Sequence, residues 1–149
     1  MYDNRPIGIF DSGVGGLTIL LEIKKLLPNE SFIYLADQAN IPYGQKTKKE
    51  LERISERIAE FLVSKEIKAI VVACNTATVY AVDCLRSKFS IPIIGSVPVV
   101  KTIAANTKTG KTAIFSTPAT AKSGYLKDLV RRFSKREKVF LVGGSNLEE

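Results

Sequence analysis

Six short apolar runs, separated by stretches with helical periodicity, constrain this chain more than any other feature. The runs are PIGIF (6–10), SFIYLA (31–36), AIVVAC (69–74), IPIIG (91–95), TAIFS (112–116) and VFLVG (139–143). Each has the length and apolar character of a strand buried on both faces. Between them, Leu51, Ile54, Ile58, Phe61 and Leu62 form one apolar face at spacings of three and four, and Tyr125, Leu126, Leu129, Val130 and Phe133 form another. Leu17, Leu20, Leu21 and Leu27 outline a third helix, stopped by Pro28, and Ala77, Val79, Val82, Leu85 and Phe89 lie on a fourth. Strand and helix in alternation predict an α/β fold, a mostly parallel sheet flanked by helices on both sides. No repeat or low-complexity linker interrupts the pattern. In such sheets ligands bind beyond the carboxyl ends of the strands. Function is therefore expected at DSGVGG (11–16), DQANIPYGQ (37–45), CNTAT (74–78) and STPAT (116–120).

Composition narrows the chemistry. With 149 residues, 45% of them hydrophobic, the chain has enough apolar material for a core. It has no leader-like start and no apolar stretch near the roughly 18 residues of a membrane span, so a cytoplasmic location is expected, away from membranes. There is no histidine, which excludes serine-histidine and cysteine-histidine catalysis within these residues, along with most zinc sites. Cys74 and Cys84 are the two cysteines. Ten residues along one helix would hold them roughly 15 Å apart, against a ceiling of about 7 Å for a disulfide, so both are read as free thiols.

The net charge of +7 is uneven, +1 over residues 1–100 and +6 over residues 101–149. Much of the excess lies in Lys122, Lys127, Arg131, Arg132, Lys135, Arg136 and Lys138. No aromatic RNA-binding motif or zinc-finger spacing accompanies them, and they are read as a solvated helix face, with no nucleic-acid partner.

Cys74 ends an apolar run just where a helix begins, and Asn75 and Thr76 can satisfy that helix's free amides. A thiol at a helix N-terminus is expected to have a lowered pKa. Cys84, mid-helix near the core face, reads as a small apolar residue. Asp11 and Ser12 stand at the mouth of the sheet, followed by Gly13, Gly15 and Gly16, which allow close approach of a ligand. A nucleotide loop does not fit: Thr18 stands where the dinucleotide fingerprint needs its third glycine, and no P-loop lysine follows. GKT at 110–112 lacks the P-loop's first glycine, with Ala105 in its place. Tyr43 and Gly44 lie in a polar loop, and Thr117 and Thr120 can cap a helix. Together these loops offer a carboxylate, hydroxyls, an amide and a thiol around one crevice, with no metal-ligand set.

IGIFDSGVGGLTIL, LADQANIPYG, VVACNTATVYAVDCLR, IPIIGSVPVVK and STPATAKSGY, in this order, resemble the glutamate racemases. That family interconverts L- and D-glutamate without a cofactor, supplying D-glutamate for peptidoglycan. The resemblance implies that Cys74 is one of two thiols acting from opposite faces of the substrate α-carbon. It implies that Asp11 orients or deprotonates that thiol and meets the substrate ammonium. Ser12, Tyr43, Gly44, Asn75 and Thr76 would hold the substrate's polar groups, and Thr117, with Thr120 beside it, would contact the substrate from the second domain. No metal enters the site. The resemblance also implies a two-domain fold present only in part. Residues 1–97 would give most of the first domain, and residues 98–149 would begin the second. The second catalytic cysteine would lie beyond residue 149, and the helix starting at SNLEE (145–149) would be cut short. On this reading the chain is the N-terminal portion of a racemase, inactive alone, with apolar surface left uncovered. Homodimerisation of the full-length form is left open. The alternative is a catalytically silent amino-acid-binding or regulatory fragment.

Overall fold

The computed structural model describes residues 3–134 and 137–144. The segment 145–149 and the pair Lys135 and Arg136, both part of the expectations above, lie outside the described residues. All six apolar runs are strands: β1 (Ile7–Asp11), β2 (Phe32–Ala36), β3 (Ala69–Val72), β4 (Ile93–Gly95), β5 (Lys111–Ser116) and β6 (Lys138–Gly143). The helices are α1 (Gly16–Leu26), α2 (Lys48–Val63), α3 (Asn75–Lys88), α4 (Val100–Asn106), α5 (Pro118–Lys122) and α6 (Gly124–Phe133). Among the described residues, no helix is long and apolar enough to cross a membrane.

The strands divide between two sheets, one of four strands in the order β2-β1-β3-β4 and one pairing β5 with β6, and every pairing is parallel. In the larger sheet β1 is buried along its whole length. The helices α2 and α3 pack on one face through Leu51, Leu62, Ala77 and Leu85, which meet Phe10, Ile70 and Val72. The helix α1 covers the other face, where Ile19, Leu20 and Ile23 lie against Ile7, Ile9 and Ala73. The small sheet has one covered face, with Ile114 packed beside Val100 and Leu126. Its other face leaves Phe115, Phe140 and Val142 exposed.

Local chemistry explains where the helices begin. Thr47 and Glu50 form a reciprocal capping box at the start of α2, a device worth about 1 kcal/mol. The helical stretch after Thr117 is broken in two at Ser123, whose extended backbone ends α5 and whose hydroxyl accepts from Leu126 N–H to cap α6.

The periodicity was right about apolar faces but not about what covers them. Leu17, Leu21 and Leu27 of the α1 stripe are exposed, as are Phe61 and Phe133. A helix can present an apolar stripe wider than the surface its neighbours supply, because periodicity reports the stripe alone.

The strand order reverses between β1 and β3: α1 carries the chain from β1 outward to β2, and α3 carries it from β3 the other way to β4. Such a reversal opens a crevice at the carboxyl ends of the two strands. Asp11 closes β1 and Cys74 follows β3 by two residues, so both stand at that crevice.

Candidate active site

A cleft of ≈ 340 Å³ opens there, lined by Asp11, Gly15, Thr18, Ile19, Ala73, Cys74, Asn75, Thr76, Ser96 and Thr117. Five of the residues singled out from sequence thus share one cavity: Asp11, Cys74, Asn75, Thr76 and Thr117. Ser12 touches it through Cys74. Ser96, just past β4, had no sequence signal beyond its place at a strand end.

Cys74 sits in extended conformation as the N-cap of α3, and its sulfur accepts the Ala77 N–H at 3.5 Å. The thiol itself therefore satisfies the helix-opening amide assigned from sequence to Asn75 and Thr76, and Asn75 is exposed. Cys74 is 7% exposed and donates its S–H to Ser12 Oγ at 3.6 Å. Its pKa is raised, opposite to the sequence expectation. Burial is the largest cause, and the Asp11 charge adds to it, outweighing the lowering effect of the Ala77 N–H and of Ser12. A helix N-terminus lowers a thiol pKa only where desolvation does not exceed it.

Asp11 is buried, and its carboxylate is held by its own loop. Oδ1 accepts Ser12 N–H at 2.8 Å and Oδ2 accepts Gly16 N–H at 2.8 Å, which makes Asp11 the acceptor at the start of α1. The third glycine of the loop serves packing here. A Cβ on Gly16 would come within 2.8 Å of Ala73 Cβ, 2.9 Å of Asp11 Cβ and 2.9 Å of the Tyr34 hydroxyl. Tyr34 in turn donates to Gly13 O at 3.0 Å, tying the loop to β2.

Thr76, Thr117 and Thr120 form a closed triangle of hydroxyls, with separations of 3.1, 3.2 and 3.0 Å. It joins the first turn of α3 to the cap of α5, and the Tyr80 hydroxyl reinforces the junction by donating to Ala119 O at 2.7 Å. Three hydroxyl protons serve three bonds, so the triangle is internally satisfied.

Tyr43 lies behind the cleft rather than along its lining. It is fully buried in the same apolar cluster as Cys74. Its hydroxyl donates to Asp37 Oδ2 at 2.7 Å, and burial together with that carboxylate drives its pKa far upward. Gly44 follows it in a short 3₁₀ turn and is likewise absent from the cleft lining. Cys84 is also not the inert apolar group expected. It is half-buried on the α2–α3 seam and donates to Glu56 Oε1 at 3.0 Å, an oxygen shared with Lys88 at 2.6 Å.

The Asp/Glu/Hydantoin racemase family profile matches residues 17–147. The chain belongs to this family. Among racemase relatives, glutamate racemase of Roseiflexus sp. (strain RS-1) is 46% identical over 132 residues, covering 88% of this chain and 48% of that protein. Glutamate racemase of Fusobacterium nucleatum is 52% identical over 124 residues, covering 81% and 47%. The crystal structure of Escherichia coli glutamate racemase in complex with L-glutamate and the activator UDP-MurNAc-ala superposes with a TM-score of 0.88 at 34% identity, covering 96% of this chain and 55% of that one. That of Francisella tularensis, in complex with D-glutamate, gives 0.77 at 37% identity, covering 93% and 52%. The chain spans about half the length of the curated relatives it matches.

Proposed function

We propose that this chain supplies one face of a glutamate racemase site, with Cys74 as one of two acid/base thiols acting at the substrate α-carbon. The observation that supports it most is a buried thiol at the switch-point crevice, beside a held carboxylate, in a chain whose relatives bear the name glutamate racemase. Removing an α-proton without an electron-sink cofactor calls for a strong, fixed base in a site poor in water. A thiol raised in pKa by burial gives a more basic thiolate once ionised, and its N-cap contact fixes the sulfur on the backbone.

In this reading the substrate carboxylate lies at the N-terminus of α3, near Asn75 and Thr76, where first-turn amides have no helical acceptor. Asp11 faces the substrate ammonium, its charge held in place by Ser12 and Gly16. Tyr43 and Gly44 act behind the thiol, shaping the wall of the site. Thr117 closes the cleft from the side of the small sheet, which belongs on this reading to a second domain beginning near residue 98. The second thiol, on the opposite face of the α-carbon, comes from outside these 149 residues, since Cys84 lies on the α2–α3 seam. The product D-glutamate would serve peptidoglycan synthesis in the cytoplasm, with L- and D-glutamate as the partners of the site.

The test uses the protein at its relatives' length, in heavy water, started separately from each pure enantiomer and followed to low conversion. Two opposed bases put deuterium first into the product enantiomer, while the remaining substrate stays largely unlabelled. Early, equal labelling of substrate and product would overturn the two-thiol assignment.

A further inference from the structure

We propose that the Ser12 hydroxyl is the hydrogen-bond switch that governs ionisation of Cys74, which makes Ser12 a catalytic residue rather than only a substrate contact. The catalytic part rests on the racemase reading above; the control of the thiol stands by itself.

The geometry places one hydroxyl between two buried groups. Cys74 Sγ–H donates to Ser12 Oγ at 3.6 Å, and Ser12 Oγ–H donates onward to Asp11 Oδ1 at 3.4 Å. Asp11 Oδ1 also accepts the Ser12 N–H at 2.8 Å, so the serine backbone is pinned while its hydroxyl can rotate about χ1 and the C–O bond. With the thiol protonated, Ser12 accepts from sulfur and gives its own proton to the carboxylate. When the S–H bond breaks, the electron pair stays on sulfur and the proton passes to hydroxide or water from the solvent. The Ser12 hydroxyl then turns from Asp11 and donates to the thiolate, and no atom of Ser12 is gained or lost.

The rotation gives the thiolate a donor and takes one from Asp11, whose Oδ1 and Oδ2 keep the Ser12 and Gly16 amides. The long 3.4 Å bond to Asp11 is the weaker of the carboxylate's contacts, so little holds the hydroxyl there. The other donors that favour the thiolate, the Ala77 and Ser12 N–H groups, belong to the backbone and cannot turn in response to the charge. Asp11, Tyr34 and Tyr43 are ionisable groups whose charge couples to Cys74. All three remain in place when Ser12 alone is changed. The direction of Ser12's effect on the thiol, a lowering against burial, agrees with this role.

The experiment uses the 149-residue chain carrying Cys84→Ala, so that Cys74 is its single thiol. The rate of alkylation by iodoacetamide is followed against pH for this chain and for its Ser12→Ala and Ser12→Thr variants. Loss of a charge-assisted hydrogen bond should move the Ser12→Ala midpoint up by about one pH unit, a roughly tenfold lower rate at any pH below both midpoints. Ser12→Thr, which keeps the hydroxyl, should stay near the parent. An unmoved or lowered Ser12→Ala midpoint would overturn the proposal, and so would equal shifts in both variants. Should Ser12→Ala fail to fold, the infrared S–H stretch of the parent decides: a band shifted below that of a non-bonded thiol is expected, and an unshifted band overturns the switch. Glutamate takes no part in these measurements, so failure of the racemase reading would leave their outcome untouched.

Discussion

The Tyr43 hydroxyl donates to Asp37 Oδ2 at 2.7 Å, and Asn40 Nδ2 closes on both oxygens of the same carboxylate at 2.8 and 2.9 Å. A buried carboxylate is tolerable when its lone pairs are met, and here the loop meets them with its own side chains. The backbone of Asp37 also donates to Asp11 O at 2.9 Å, so this loop and the end of β1 are one unit. Tyr43→Phe removes one partner from a buried charge and should cost about 1.5–3 kcal/mol in urea unfolding. In the native chain, absorbance at 295 nm should show Tyr43 unionised until the protein unfolds, since its pKa is driven far up.

The threonine triangle bears on stability in a similar way. Thr120→Val keeps the shape but leaves Thr76 and Thr117 with one hydroxyl partner fewer each. A loss of about 1–2 kcal/mol in unfolding free energy is expected, with little change in the denaturant slope. A loss near zero would mean that water replaces Thr120 in the triangle.

Gly16→Ala tests the packing of the first loop. The added methyl meets Ala73 Cβ, Asp11 Cβ and the Tyr34 hydroxyl at 2.8–2.9 Å, and two of these neighbours are anchored directly to the backbone. Overpacking of this kind costs about 1–3 kcal/mol. It should also displace Asp11 from the Gly16 amide, visible as a lower Tm and a changed rate of Cys74 alkylation.

The raised pKa of Cys74 sets a pH dependence with a definite sign. In the unfolded chain the thiol ionises near pH 8.5, whereas the native thiol stays neutral to higher pH. The stabilising contribution is therefore full below the unfolded value and is lost as pH rises through the folded one. Urea midpoints measured from pH 7 upward should fall more steeply for the native chain than for Cys74→Ala. Parallel curves would contradict the burial of an un-ionised thiol.

Much of the fold was legible because a parallel strand covered on both faces must be apolar throughout: every run from PIGIF to VFLVG became a strand with ends shifted by at most two residues. The helix α4 escaped notice, since its seven residues bury only Val100 and Ala104 and show no full amphipathic face. At the site, strand-end position was enough to gather Asp11, Cys74, Asn75, Thr76 and Thr117 around one cleft. Quantities that depend on burial were not legible. The dipole at Cys74 can be read from a strand-to-helix boundary, but its burial comes in an apolar cluster that also holds Tyr43 and Leu51, residues contributed by different elements. The Asp37 partnership of Tyr43 was hidden for the same reason: DQANIPYGQ reads as polar loop, and only its folded form shows the tyrosine turned inward.

The central claim, that Cys74 faces bound glutamate, is tested most directly by alkylating the protein at its relatives' length with iodoacetamide in the presence of D-glutamate, L-glutamate or neither, and locating the label by mass spectrometry. Cys84, on the α2–α3 seam outside the cleft, is the internal control. Glutamate is expected to slow labelling of Cys74 several-fold and to leave Cys84 unchanged. Labelling of Cys74 at the same rate with and without either enantiomer, or equal slowing at both cysteines, would contradict it.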